Sequence, residues 1–474
     1  MEGIIGRSKE LKLFTSILEG HRSEFIAVYG RRRVGKTFLI RSAFKQHFTF
    51  QLTGLANTNT EQQLANFNNA LQKVQKKNKE EPAKTWFIAF VQLTRFLEKS
   101  AATKKVIFID ELPWLDTVNS GFIPALEHFW NSWASARNDV ILIACGSAAS
   151  WMINKLINNK GGLHNRVTKR LKIIPFTLQE CEQLVQSKKS VLDRYQIIQL
   201  YMVLGGIPFY WDEVSKELSA AQNIEQICFS ENGLLRTEFP KLFSSLFTNA
   251  DRHIAIINVL AKKAKGLTRH EIIKGSKLPD GGSMTRLLNE LEESGFIRKY
   301  IPFEKKMRTS LYQLTDLYSL FYLRFIKEPA HFEKNKWLNT IDSPTYRAWS
   351  GYAFEQICLY HSDQLKHSLG IAAVETNISS WRSSTLENGA QIDLVIDRRD
   401  QVINLCEMKF SINPFTIDKK YDAELRNKIA AFKKETATRK SVFMTMVTTF
   451  GLQKNNYAAG LIQNDIKMDA LFHT

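Results

Sequence analysis

The chain has 474 residues, enough for about three or four domains of ordinary size. Apolar residues make up 44% and charged residues 24%, a balance that excludes wholesale disorder. The 65 Lys and Arg outnumber the 47 Asp and Glu, and a net charge of +18 favours a polyanionic partner, nucleic acid before an acidic membrane surface.

The N-terminal MEGIIGRSKE has no basic flank and apolar run, so no signal peptide is expected, and no apolar stretch is long enough to predict a membrane helix. The cysteines at 145, 181, 228, 358 and 406 are scattered and odd in number. That pattern predicts a reducing cytoplasm and no structural zinc.

The first third alternates strand-like and helix-like segments. Phe25–Tyr29 is a short apolar run, and Thr37 to Phe48 reads as a helix. Val106–Asp110 and Val140–Ala144 are two further buried-strand patterns, so a parallel α/β sheet is predicted. Residues 176–245 read as helical, broken at Gly205-Gly206-Ile207-Pro208. Residues 250–325 read as short helices followed by two strands around a basic turn, and 327–342 as a polar linker. Beyond 345 a helix precedes the strands Gln391–Ile396, Ile403–Met408 and Ser441–Val447. The predicted modules are 1–175, 176–249, 250–328 and 340–474.

Gly30-Arg31-Arg32-Arg33-Val34-Gly35-Lys36-Thr37 fits the P-loop pattern, between a predicted strand and a predicted helix. The loop turns backbone N–H groups toward phosphate, Lys36 neutralises phosphate oxygens, and Thr37 ligates Mg²⁺. The run ending Asp110-Glu111 supplies the acids. Asp110 is expected to hold Mg²⁺ and Glu111 to orient or deprotonate the attacking water. Ser147, after the third strand, is either a contact to the γ-phosphate or water, or part of a simple turn. Arg166 is either a transition-state arginine, in cis or from a neighbouring subunit of a homo-oligomer, or part of a solvated basic loop.

Ile4 to Glu10, the triple-arginine P-loop, the Asp-Glu strand, Gly146-Ser147 and Gly205–Pro208 together resemble the archaeal-type ATPases, on the STAND and AAA+ side of the P-loop NTPases. The resemblance implies that Gly6 and Arg7 border the adenine. It also implies a helical lid over 176–249 that touches nucleotide through Pro208.

Residues 250–328 fit a winged helix. Ile254–Ala264 is amphipathic, Thr268 caps a second helix, and a third carries Met284, Leu287, Leu288 and Leu291 on one face. This reading puts Ser283, Thr285, Arg286 and Asn289 in a DNA major groove and Lys305, Lys306 and Arg308 on phosphates. The 15 Lys and Arg against 9 Asp and Glu over 251–330 favour DNA, whereas Glu290, Glu292 and Glu293 would repel it and fit protein packing instead.

In the last module Asp393 lies in an apolar run, and Glu407 and Lys409 share a face of the next. A hairpin through Arg398–Asp400 would set Asp393 beside them, where Asp393 and Glu407 bind Mg²⁺ and Lys409 helps to activate water. Glu355, from the preceding helix, adds a carboxylate to the metal site. The pattern resembles the PD-(D/E)XK nuclease superfamily, with Gln391 where that family often has Glu. The expected fold is therefore multidomain α/β: a P-loop parallel sheet with a helical lid, a winged helix and a restriction-endonuclease-like domain. The expected activity is a DNA-associated ATPase that uses ATP and Mg²⁺. The alternative is a signalling or scaffold NTPase whose last domain is catalytically inactive.

Overall fold

The computed structural model describes residues 3–75, 81–159, 161–305, 309–327, 336–383 and 390–473. It divides into two compact units, Met1–Pro175 and Phe176–Thr474.

The first unit is built on β1 (Glu24–Tyr29), β2 (Phe48–Thr53), β3 (Lys105–Asp110), β4 (Val140–Gly146) and β5 (Lys169–Lys172). They form one parallel sheet in the order β2-β3-β4-β1-β5. The three central strands are covered on both faces, which is why they read as unbroken apolar runs. Phe25, Ile26, Ala27 and Val28 are fully buried, as are Val140 through Cys145. Helices Trp86–Lys99 and Phe122–Ser132 close one face, where the Trp86 ring meets Phe122 edge-on at 4.9 Å. Two corrections arise here. The helix predicted over Thr37 to Phe48 stops at Ala43, because the aromatic and β-branched run from Phe48 is taken by edge strand β2. The charged strand β5 (KRLK) has no apolar run, because it too is an edge.

The second unit opens with helices. Thr177 and Glu180 make a capping box on Leu178–Ser187, Asp193 caps Arg194–Leu204, and Ser219 with Gln222 caps Ala220–Cys228. The Gly205-Gly206 break has a steric cause. A Cβ on Gly206 would lie 1.9 Å from the Phe176 carbonyl oxygen, and Phe176 N–H donates to the Gly206 carbonyl at 2.6 Å. Pro208 then starts the short helix Pro208–Trp211.

Next come helices Ala250–Leu260, Arg269–Ser276 and Gly282–Glu293. They pack with β6 (Leu267–Thr268), β7 (Ile297–Tyr300) and β8 (Leu311–Leu314), an antiparallel sheet in the order β6-β8-β7. The segment predicted as a linker instead contains helix Lys336–Thr340, and Trp337 is buried against Phe321, Phe325 and Trp349. Helix Pro344–Tyr360 leads to β9 (Thr376–Arg382), β10 (Gln391–Arg398), β11 (Val402–Lys409), β12 (Ser441–Thr448) and β13 (Ile462–Lys467). Their order is β13-β12-β11-β10-β9, antiparallel from β9 to β11 and parallel from β11 to β13.

His361 ties the helical segment to the last sheet's leading helix. Its Nε2 accepts from the Leu178 N–H at 3.0 Å and its Nδ1 lies 2.8 Å from the Ile357 carbonyl. The ring must therefore be neutral, and burial lowers its pKa to about 4 from 6.5. Above pH 6.5 both folded and unfolded chains hold it neutral. As pH falls from 6.5 to 4 only the unfolded chain takes the proton, so stability of about 3 kcal/mol is lost across that window. Urea titrations at pH 7 and pH 4.5 should show a lower midpoint for this unit at acid pH, and His361→Gln should flatten that dependence.

Candidate functional site

The P-loop leaves the C-terminal end of β1. Gly30 sits at φ 142°, and a Cβ there would lie 2.3 Å from the Ile173 carbonyl oxygen, so only glycine fits. Gly35, at φ 85°, caps the helix Lys36–Ala43 and aims its N-terminus at the loop. Lys36 is buried and folds back, donating to the carbonyls of Gly30 at 3.0 Å and Arg31 at 2.9 Å. Burial lowers its pKa, while Glu111 and Asp110 oppose that shift. Arg31 and Val34 are buried, and Arg32 and Arg33 are half-buried. The Arg7 guanidinium is buried and donates to the Val34 carbonyl at 3.2 Å, which joins the N-terminal Gly6-Arg7 turn to the loop.

Across the sheet, Thr37 Oγ1 donates to Asp110 Oδ2 at 2.9 Å. The other Asp110 oxygen accepts the Glu111 N–H at 3.0 Å. Glu111 is held in the left-handed region, at φ 46° and ψ 46°, directly after β3. Its Oε2 accepts from Ser147 Oγ at 2.9 Å and from the Ser147 N–H at 3.2 Å. Ser147 is therefore a positioning residue for Glu111, a role neither sequence alternative named. Strand β4, which ends beside Ser147, runs between β1 and β3, and that order brings the serine to the acid.

Arg166 is not brought to this cluster. The pairing Ile26↔Lys169 puts Arg166 beyond the N-terminal end of β1, exposed. The P-loop leaves the opposite end, roughly 20 Å away along a strand of this length.

The chain is similar to several known proteins. Residues 4–214 match the ATPase domain found predominantly in Archaea. A Methanocaldococcus jannaschii protein described as uncharacterized is 24% identical over 418 residues, covering 86% of this chain and 87% of its own. A Walker-type ATPase of Pyrococcus abyssi shares the fold at TM-score 0.51 and 17% identity, over 68% of this chain and 96% of its own. The ORC2 protein of Aeropyrum pernix, solved with ADPNP and ADP, aligns at TM-score 0.43 and 12% identity over 68% of this chain and 96% of its own. No described helix is long and apolar enough to cross a membrane.

Outside residues 4–214 lie the residues of two further predicted sites. On helix Gly282–Glu293, Met284, Leu287, Leu288 and Leu291 are buried, and Ser283, Thr285, Arg286 and Asn289 are all exposed. Arg269 and Arg252, which sequence reasoning missed, reach this face. Arg269 donates to Thr285 Oγ1 at 2.9 Å, and Arg252 lies 3.4 Å from Ser283 Oγ. The capping box at Thr268 was the signal that could have placed Arg269 at a helix start. Arg286 is spanned to Glu290 at 3.0 Å. Lys305 is exposed, whereas Lys306 and Arg308 lie outside the described residues.

In the last sheet the register Leu394↔Cys406 puts Asp393 across from Glu407. Glu355, from helix Pro344–Tyr360, is within electrostatic reach of both. Burial, and then the charge of Asp393, raises Glu355 to about 8 and Glu407 to about 7, and burial raises Asp393 as well. Lys409 Nζ lies over the Tyr421 ring at 5.1 Å. A residue absent from the sequence reading completes the cluster: Lys428 donates to Glu407 Oε1 at 2.9 Å from helix Lys419–Thr436. It lies far from any motif, so no spacing marked it. Among the described residues no three His, Cys, Asp or Glu side chains converge closely enough to form a ready-made metal cage. The expected set of Glu355, Asp393 and Glu407 is thus gathered but not closed, with the Lys428 ammonium already on one oxygen.

Lys36→Ala should weaken ATP binding ~100-fold, the loss of about 3 kcal/mol expected of a charge-assisted contact, read by nucleotide titration. Glu111→Gln should bind ATP with near-normal affinity and stall turnover. Ser147→Ala should slow hydrolysis roughly tenfold at unchanged affinity, because only the aim of Glu111 is lost. Retained turnover in both Lys36→Ala and Glu111→Gln would mean that the site is elsewhere.

Proposed function

We propose that the protein is a Mg²⁺-dependent, DNA-associated ATPase whose nucleotide state controls a winged-helix module and a nuclease-like module. The observation that carries the ATPase half is the hydrogen-bonded chain from Thr37 to Asp110 and from Glu111 to Ser147. Thr37 Oγ1 and Asp110 Oδ2 are hard oxygen donors side by side, a set that suits Mg²⁺. When bound there, the ion neutralises phosphate oxygens. Lys36 exchanges its two loop carbonyls for phosphate oxygens. Held by Ser147 through Oε2, Glu111 would aim a water at the γ-phosphate and accept its proton at the other carboxylate oxygen as the bond to ADP breaks. Gly6 and Arg7 would frame the base, and Arg31, Arg32 and Arg33 would add positive potential. Arg166 would serve a neighbouring subunit of a homo-oligomer, since it lies at the wrong edge of its own sheet.

The nuclease half rests on the electrostatic approach of Asp393 and Glu407 to each other and to Glu355 and Lys409. The oxygen-rich donor set suits a divalent cation, and a bound cation would offset the burial, and for Glu355 and Glu407 the charge of Asp393, that raise the carboxyl pKa values. Lys409 would then orient water. The exposed face of Ser283, Thr285, Arg286 and Asn289, with Lys305, supports DNA contact.

A second reading is favoured by one observation. The Lys428–Glu407 ion pair already neutralises a would-be metal ligand. It fits a signalling or scaffold NTPase with an inactive last domain. The two readings separate in a plasmid-nicking assay with Mg²⁺ or Mn²⁺, with and without ATP. Active wild type and inert Glu407→Ala are expected. Equal inertness of the two at every nucleotide state and low salt would overturn the nuclease assignment.

A further inference from the structure

The hairpin β7–β8 is not a free wing. Just beyond β7, Phe303 N–H donates to the Ser380 carbonyl of β9 at 2.8 Å, and its ring meets Phe432 of helix Lys419–Thr436 at 5.2 Å. On the other strand the Leu314 carbonyl accepts from Tyr352 Oη at 3.0 Å, on the helix that carries Glu355. The middle module is therefore built against the carboxylate site.

Two cations of that module lie along the edge that meets the Glu355 helix: Arg298 pairs with Gln313, and Gln313 borders both Leu314 and the backbone beside Lys265. The backbone around Lys265 is pinned from both sides: Tyr300 Oη donates to the Lys265 carbonyl at 2.7 Å, and Gln313 Nε2 to the Ala264 carbonyl at 2.6 Å. The Lys265 side chain is exposed, yet its charge reaches both Glu355 and Asp393. Arg298 is aimed by Gln313 Oε1 at 2.8 Å and lies over the Tyr300 ring at 5.1 Å, where it senses Tyr352 and Glu355. Among the described residues, Lys263 and Arg269 are held in ion pairs with Glu271 and Asp280, and Lys265 in none. Lys428 and Lys409 are already engaged, by Glu407 and the Tyr421 ring.

A DNA phosphate approaching this cluster meets carboxylates that repel it. Positive charge at the rim is what permits the approach. We propose that Lys265 and Arg298 form the phosphate-binding wall of the carboxylate site, so that one DNA segment is gripped jointly by the middle and last modules. This rests on the nuclease-like reading above and deepens it. The winged-helix-like module then acts as part of the cleavage cleft, besides any groove contact by its helix Gly282–Glu293.

The test uses the full chain, a fluorescent duplex oligonucleotide in Ca²⁺ read by anisotropy at several salt concentrations, and Mn²⁺ binding read by EPR. Lys265→Ala should weaken DNA binding about tenfold and lower the salt slope by about one, with Mn²⁺ affinity unchanged. Lys265→Arg should restore both values, and Arg298→Lys should lie between. Wild-type affinity and slope in Lys265→Ala would overturn the inference, as would loss of Mn²⁺ binding in that variant, which would mark a merely structural role. Mn²⁺ binding and cleavage that survive Glu407→Ala would instead sink the carboxylate-site reading, and this inference with it. Wild type that binds Mn²⁺ but no DNA would overturn the shared cleft alone.

Discussion

The hydrogen bond from Thr37 to Asp110 depends on a constraint that organises the whole ATPase domain: β4 runs between the strand that launches the P-loop and the strand that ends in the acids. Parallel strands present their C-terminal ends on one edge, so three chain segments far apart in sequence deliver their polar termini to the same place. The fully buried apolar strands beneath them leave the loop little room to drift. Gly30 shows how tight that edge is, since even a methyl group would strike the backbone at Ile173.

The same edge stores its polar groups in mutual contact. Lys36 caps carbonyls of its own loop, Thr37 caps Asp110, and Ser147 caps Glu111. Buried donors and acceptors left alone would each cost about 1–3 kcal/mol, so a nucleotide-ready site must satisfy itself when empty. In the last sheet the problem is inverted. Three carboxyl groups interact there, Glu407 buried and Glu355 and Asp393 half-buried, and the cations that act on them include Lys409 on a strand and Lys428 on a helix. Like charges at low dielectric repel strongly, and only surrounding cations or protons make the cluster tolerable.

Legibility followed burial. The strands β1, β3 and β4 were readable because both faces are covered and each carries an unbroken apolar run, Phe25–Val28, Val106–Ile109 and Val140–Cys145. Edges were not. The charged β5 and the half-exposed β9 (TNISSWR) carry no run or clean alternation, and β2 was absorbed into a helix that ends earlier. The stretch read as a linker hides Trp337 in an aromatic cluster, because polar neighbours mask one anchoring residue in any average over composition. Antiparallel pairing of β10 with β11 was readable from the short turn between them, since a turn of that length permits little else.

By itself, the sequence determined which chemistry is present: a phosphate loop, a strand ending in two acids, an exposed polar helix face and an Asp, Glu and Lys set on adjacent strands. Those are local facts, encoded by spacing within a single turn or strand. Only the tertiary structure decided which groups meet. It joined Ser147 to Glu111, carried Arg166 to the far edge of its sheet, placed Lys428 on Glu407 and tied the Lys265 backbone to Tyr300. Each of these depends on strand order or on packing between elements distant in the chain, and no local pattern of residues carries that information.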